Sequence, residues 1–184
     1  MTDDENVLDI KLDRSFDMLD ADGDGKLEEQ DLLVLAGRLG GAFDVDAKGP
    51  VERLQRAFAA LWEADLKNMG TDGTEAIDRE EFRSGVRRAV DADRDGFLGR
   101  MNQMLEAWLD ICDSDRDGRI SLDDFITMYA KTLALFPDSL AEAFTRLDTD
   151  GDGMLSRSDI HRAVEEYYTS EEPQTPGNWL FGPL

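Results

Sequence analysis

The sequence predicts an all-α protein: four helix–loop–helix units in two pairs, packed into one compact globule, with a short β-bridge between the loops of each pair. Three observations predict it. A twelve-residue acidic segment occurs three times, as DADGDGKLEEQD (Asp20–Asp31), DSDRDGRISLDD (Asp113–Asp124) and DTDGDGMLSRSD (Asp148–Asp159). Apolar residues at helical spacing flank each copy. A fourth, damaged copy stands where the partner of the first belongs.

The last copy explains the pattern. Acids fill its first, third, fifth and twelfth positions (Asp148, Asp150, Asp152 and Asp159), with Gly153 sixth and Leu155 eighth. A hard divalent cation such as Ca²⁺ takes six to eight oxygen ligands, and a twelve-residue loop supplies them from those four side chains and from the carbonyl of the seventh residue, here Met154. The sixth-position glycine permits the sharp turn that brings both ends of the loop round one ion.

In chain order, Val7, Leu8, Leu12, Phe16 and Leu19 form one apolar stripe leading into the first loop. The candidate ligands there are Asp20, Asp22, Asp24, the Lys26 carbonyl and Asp31, with Glu28 at the ninth position able to act through water or directly. Leu32, Leu33, Leu35, Ala36 and Leu39 begin the exit helix, which Gly40–Gly41 weakens. After the break at Gly49–Pro50, Val51, Leu54, Ala57, Phe58, Leu61 and Trp62 make a third stripe. The loop that follows is damaged. With Ile77 at the eighth position, Gly70 stands first, Asp72 third, Thr74 fifth, Glu75 sixth and Glu81 twelfth. Its first carboxylate and turn glycine are gone, so it is expected to keep its shape without an ion and to support the first loop through a Leu27–Ile77 bridge. A shifted register, starting from Asp65 or Asp72, is the alternative.

Phe82 and Val86 continue the fourth helix. Asp91–Asn102 (DADRDGFLGRMN) then imitates a loop, but its twelfth residue is a neutral amide. Met101, Met104, Leu105, Trp108 and Leu109 are needed for the next entering helix, so residues 91–99 are read as a hinge, with a weak ion site there as the alternative. It divides an N-terminal pair (1–90) from a C-terminal pair (100–168). The third intact loop offers Asp113, Asp115, Asp117, the Arg119 carbonyl and Asp124, with Gly118 sixth and Ile120 eighth, and leads into Phe125, Ile126, Met128 and Tyr129. Pro137 marks a break. Leu140, Ala143, Phe144 and Leu147 enter the last loop, and Ile160, Ala163, Val164 and Tyr167 leave it. Ile120 should pair with Leu155 as Leu27 does with Ile77.

The last residues, 169–184, carry Pro173, Pro176 and Pro183, which forbid one helix across them. Trp179, Leu180 and Phe181 are too apolar to leave in water, and the segment is expected to fold back into an apolar cleft of the globule.

These loops identify the units as EF-hands. Three intact units and a degenerate second one in 184 residues resemble calerythrin and the sarcoplasmic calcium-binding proteins over about residues 8–168. The resemblance implies two EF-hand pairs in one globule, Ca²⁺ in the first, third and fourth units, and a buffering or transport role rather than catalysis. One departure is informative: the twelfth position, usually Glu, is Asp in all three loops. The shorter side chain favours loss of one ligand oxygen, which moves the site towards the smaller, six-coordinate Mg²⁺ as a competitor.

Composition agrees. With 42 acids against 20 bases the net charge is −22, which argues against nucleic acid and anionic membranes as partners. Three Ca²⁺ would bring it to −16 (−22 + 6). The acidic N-terminus is not a signal peptide, no apolar run approaches the roughly 18 residues of a membrane span, and the cytoplasm is the expected compartment. Cys112, the single cysteine, reads as a buried small hydrophobe, and His161 as an ordinary helix residue. The methionines are spread along the chain and do not by themselves indicate a groove for a target protein. No nucleophile–base or phosphate-cradling pattern is present, so no enzyme is expected. A monomeric Ca²⁺ buffer is the leading reading, and a sensor that opens an apolar groove to a target protein is the alternative.

Overall fold

The computed structural model describes residues 6–71, 73–132 and 137–183. Among the described residues, seven α-helices carry the fold: α1 (Val7–Leu19), α2 (Glu29–Ala42), α3 (Glu52–Ala64), α4 (Arg79–Cys112), α5 (Leu122–Thr132), α6 (Pro137–Leu147) and α7 (Arg157–Thr169). Two short strands, β1 (Arg119–Ile120) and β2 (Leu155–Ser156), pair antiparallel with Ile120 opposite Leu155. The first two loops meet in a single antiparallel bridge, in which Leu27 N–H donates to Ile77 O at 2.8 Å and Ile77 N–H to Leu27 O at 3.1 Å. Both expected pairings are present, and all four eighth-position side chains are buried.

The helices form where apolar residues recur every three or four positions, and those residues make one core. Leu12, Phe16, Leu32, Leu39, Leu54 and Phe58 are nearly inaccessible, each contributing roughly 1.5–3 kcal/mol by burial. Edge-on ring pairs join the elements: Phe16 with Phe82, Phe58 with Trp108, and Phe125 with Phe144.

The two halves of the chain meet at a kink within α4, at Asp93, inside the stretch 91–99 read as a hinge. The exit helix of the second unit runs on as the entering helix of the third, broken only at Asp93 (φ −158°, ψ 76°). The Asp93 carboxylate there accepts a hydrogen bond from Gly96 N–H at 3.0 Å, which restarts the helix. Phe97 and Leu98 pin the kinked stretch to the core, with Phe97 edge-on to Tyr168. The acids of Asp91–Asn102 are thereby spread along a helix instead of being gathered in a loop. Asp65, one alternative first ligand for the second loop, instead gives both its oxygens to Arg100, at 2.6 and 2.8 Å. The other alternative, Asp72, lies outside the described residues.

The C-terminal segment lies against α1, α5, α6 and α7. It makes one 3₁₀ turn, Pro176–Trp179, with Pro176 at the start, where no N–H is required. Leu180 is buried, while Trp179 and Phe181 are only partly so. Phe181 stands edge-on to Tyr167 and Tyr129, and the Arg146 guanidinium covers the Trp179 ring. Polar anchors fix the backbone: Tyr129 O–H donates to Leu180 O at 2.6 Å, and Gly177 N–H to Glu166 Oε2 at 2.7 Å. The most buried of them is Lys11, whose ammonium donates to Glu166 O (3.0 Å), Ser170 O (2.7 Å) and Asn178 Oδ1 (2.9 Å). Leu180 and Phe181 line an apolar cavity of about 90 Å³.

Burial lowers the Lys11 amine to about 8, against the opposing pull of Glu166 and Glu171. The folded protein therefore releases this proton at a lower pH than the unfolded chain, and the group's contribution to stability rises with pH between about 8 and 10.5. Lys11→Met leaves Ser170 O and Asn178 Oδ1 without this donor, while Glu166 O keeps the Ser170 N–H at 3.0 Å. It should lower stability in urea by at least about 2 kcal/mol at pH 7, and the deficit should widen by about 1–2 kcal/mol at pH 9.5.

Candidate metal centre

Each intact loop begins where an entering helix stops. Asp20, Asp113 and Asp148 give their N–H groups to the last turn of that helix (to Phe16 O, Leu109 O and Phe144 O, each at 2.9 Å) and turn their carboxylates into the loop. Backbone N–H groups then hold those carboxylates. Gly25 N–H donates to Asp20 Oδ2, Gly118 N–H to Asp113 Oδ2 and Gly153 N–H to Asp148 Oδ2, again each at 2.9 Å. The three glycines sit at φ +84°, +88° and +83°, a region that resists a side chain. At the fourth position the first and last loops also use glycine, whereas the third holds Arg116 at φ +62°.

The third and fifth acids are held the same way. Asp22, Asp115 and Asp150 each accept from the N–H two residues on, at 3.1–3.2 Å. Asp24, Asp117 and Asp152 accept from the N–H of Lys26, Arg119 and Met154 at 2.8–3.0 Å. Three clusters result, Asp20/Asp22/Asp24, Asp113/Asp115/Asp117 and Asp148/Asp150/Asp152, in each of which carboxylate oxygens lie within 4.8 Å of one another. Two unit charges at that distance repel by between about 1 and about 3.5 kcal/mol, depending on the local dielectric. Converging hard oxygens under mutual repulsion fit a divalent cation such as Ca²⁺ or Mg²⁺ and suit no soft metal.

The twelfth-position aspartates stand apart from these clusters, in the first turn of each exit helix. Asp31 accepts from Ala21 N–H (3.1 Å) and Glu28 N–H (2.9 Å), and burial raises its pKa. Asp124 accepts from the Ser121 N–H and hydroxyl. Asp159 accepts from the Ser156 N–H and hydroxyl and from Arg162 at 2.8 Å, and against the effect of burial these partners hold its pKa below the usual range. The seventh-position residues Lys26, Arg119 and Met154 offer their carbonyls through the main chain, so their side chains are free to differ.

In the second loop the Glu81 carboxylate serves the loop's own groups. It accepts from the Thr71 N–H and hydroxyl (2.8 Å each) and from Asp78 N–H (3.0 Å). Among the described residues no cluster of three acids forms there. Sequence reasoning missed the arginines: Arg119 reaches across the β-pair to Asp152, and Arg162 lies on Asp159. Arg162 follows Asp159 by three residues on α7, a helical-neighbour signal open to reading.

The family model of the EF hand matches residues 12–35, 105–129 and 140–164, covering the three intact units. These three segments are EF-hands. The chain is 28% identical over 160 residues to calerythrin of Saccharopolyspora erythraea, covering 86% of this chain and 90% of that one. An uncharacterized calcium-binding protein of Caenorhabditis elegans is 29% identical over 140 residues, covering 70% and 59%. Among solved structures, a Streptomyces coelicolor calcium-binding protein matches with a TM-score of 0.74 at 27% identity, covering 88% of this chain and 98% of that one.

The set-back twelfth carboxylate generates a prediction. Asp124→Glu should reach the cluster with both oxygens and raise the Ca²⁺-over-Mg²⁺ affinity ratio of the third EF-hand about tenfold. Competitive calorimetry measures it, and an unchanged ratio contradicts the argument.

Proposed function

We propose that this protein is a cytoplasmic Ca²⁺ buffer or carrier that holds three ions and has no catalytic activity. The first EF-hand binds through Asp20, Asp22, Asp24, the Lys26 carbonyl and Asp31. The third uses Asp113, Asp115, Asp117, the Arg119 carbonyl and Asp124. The fourth uses Asp148, Asp150, Asp152, the Met154 carbonyl and Asp159. The second supports the first through the Leu27–Ile77 bridge and stays empty. Mg²⁺ competes at all three sites. The observation that carries this reading is the threefold recurrence of one hydrogen-bonded carboxylate cluster. The Streptomyces coelicolor relative, described as a calcium-binding protein, supports it.

A buffer rather than a sensor is favoured by the C-terminal segment. Leu180 and Phe181 form part of the wall of the apolar space between the EF-hand pairs that a target helix would need to enter. The sensor reading draws on the methionines beside that space, Met18, Met101, Met104 and Met128, and on the Streptomyces relative, which is described in terms of calcium-mediated regulation.

Calorimetric titration with Ca²⁺, followed by binding of a hydrophobic fluorescent dye, separates the readings. The buffer predicts three ions per chain, two in each of Asp20→Asn, Asp113→Asn and Asp148→Asn, and no Ca²⁺-dependent rise in dye fluorescence. A severalfold rise on adding Ca²⁺ would favour the sensor, and a stoichiometry below two would contradict both.

A further inference from the structure

The fourth EF-hand differs from the other two in what its carboxylates already hold. Among the described residues, no ion pair reaches Asp20, Asp22, Asp24 or Asp31 in the first loop, nor Asp113, Asp115, Asp117 or Asp124 in the third; the hydrogen bonds they accept come from backbone N–H groups and one serine. In the fourth loop two proposed ligands carry guanidinium groups. Arg119, at the seventh position of the third loop, crosses the β1–β2 pair to Asp152 Oδ2. Arg162, one turn into α7, donates to Asp159 Oδ1 at 2.8 Å and to Thr149 Oγ1 at 2.9 Å. The fifth and twelfth positions of a single loop are thus each engaged by a cation that stays protonated at any physiological pH.

We propose that Arg119 and Arg162 act as resident counter-ions of the fourth site, making it the weakest of the three for Ca²⁺ and the last to fill. This rests on the three-site reading. The ion-free loop gains two charge-assisted contacts that the other loops lack, which relieve the repulsion an arriving ion would otherwise relieve. An entering dication must either draw Asp152 and Asp159 away from the guanidinium groups or share them with a positive charge close by. Both routes lower affinity. The first EF-hand supplies a contrast. Its seventh-position Lys26 makes the corresponding reach, to Asp78 at 3.9 Å, but Asp78 belongs to the degenerate unit and to no carboxylate cluster, so no ion is opposed there. A carrier built this way would respond over two ranges of free Ca²⁺, two sites filling early and one late.

The sixth-position glycines supply a reporter for each loop, because the N–H groups of Gly25, Gly118 and Gly153 each donate to the first carboxylate of their own loop. The full ¹⁵N-labelled chain is titrated with Ca²⁺ alone and the three amide resonances are followed. The Gly153 midpoint is expected at a free Ca²⁺ about tenfold or more above those of Gly25 and Gly118. In Arg119→Gln/Arg162→Gln it should fall by about tenfold, while Gly25, in a loop neither arginine touches, serves as the internal reference. Both arginine side chains are partly exposed (39% and 42%), and Gln retains the main-chain carbonyl of residue 119, so the variant should fold. Equal midpoints for the three glycines, or a Gly153 midpoint unmoved in the variant, would overturn this proposal alone. No response from any of the three would overturn the three-site reading and this proposal with it.

Discussion

Like charge held at close range is the constraint on which the rest of the molecule depends. Nine aspartates are gathered into three clusters, and the backbone of each loop is wound so that its own N–H groups point at them. That arrangement also sets the helices. The first aspartate of each loop ends an entering helix, and the twelfth accepts hydrogen bonds in the first turn of the exit helix. The residues that would meet an ion are therefore the residues that fix where each helix stops and starts. Binding and architecture cannot be altered independently, because one set of side chains performs both tasks.

The two EF-hand pairs are joined more firmly than a linker would join them. The kinked α4 belongs to both, Arg100 on its second half clasps Asp65 from the end of α3, and Arg53 on α3 pairs with Asp110 of α4 at 3.0 Å. The C-terminal segment closes the remaining side, anchored by Lys11 and Tyr129 from different pairs. Filling three sites in such a body would tighten it and expose little new surface, the mechanical behaviour expected of a buffer. A sensor would have to expel Leu180 and Phe181 first, together with the hydrogen bonds that hold their backbone.

Much of this was legible in the sequence, for a physical reason. The loop pattern is dictated by coordination chemistry at fixed spacing, so Asp20, Asp113 and Asp148 announce themselves, and the eighth-position pairings Leu27–Ile77 and Ile120–Leu155 follow from the loop frame. Helical periodicity similarly revealed Phe16, Phe58 and Leu140. Features that depend on distant partners were not legible. Lys11 looks like a surface residue until Ser170 and Asn178 return to it from the far end of the chain. The run at 91–99 reads as a hinge and holds a kink at Asp93, but the burial of Phe97 and Leu98, beyond which the helix continues, does not show in its acids and glycines. The reach of Arg119 into the neighbouring loop needs the β-pair to be formed before it exists at all.

The most direct test is crystallographic: crystals grown in calcium, with the ions located by their anomalous scattering. Three peaks are predicted, each among the first, third and fifth carboxylates of Asp20–Asp31, Asp113–Asp124 and Asp148–Asp159, with none between Gly70 and Glu81. Peaks absent from those three loops, with the carboxylates still crowded, would contradict the claim that dications are what the crowding is for.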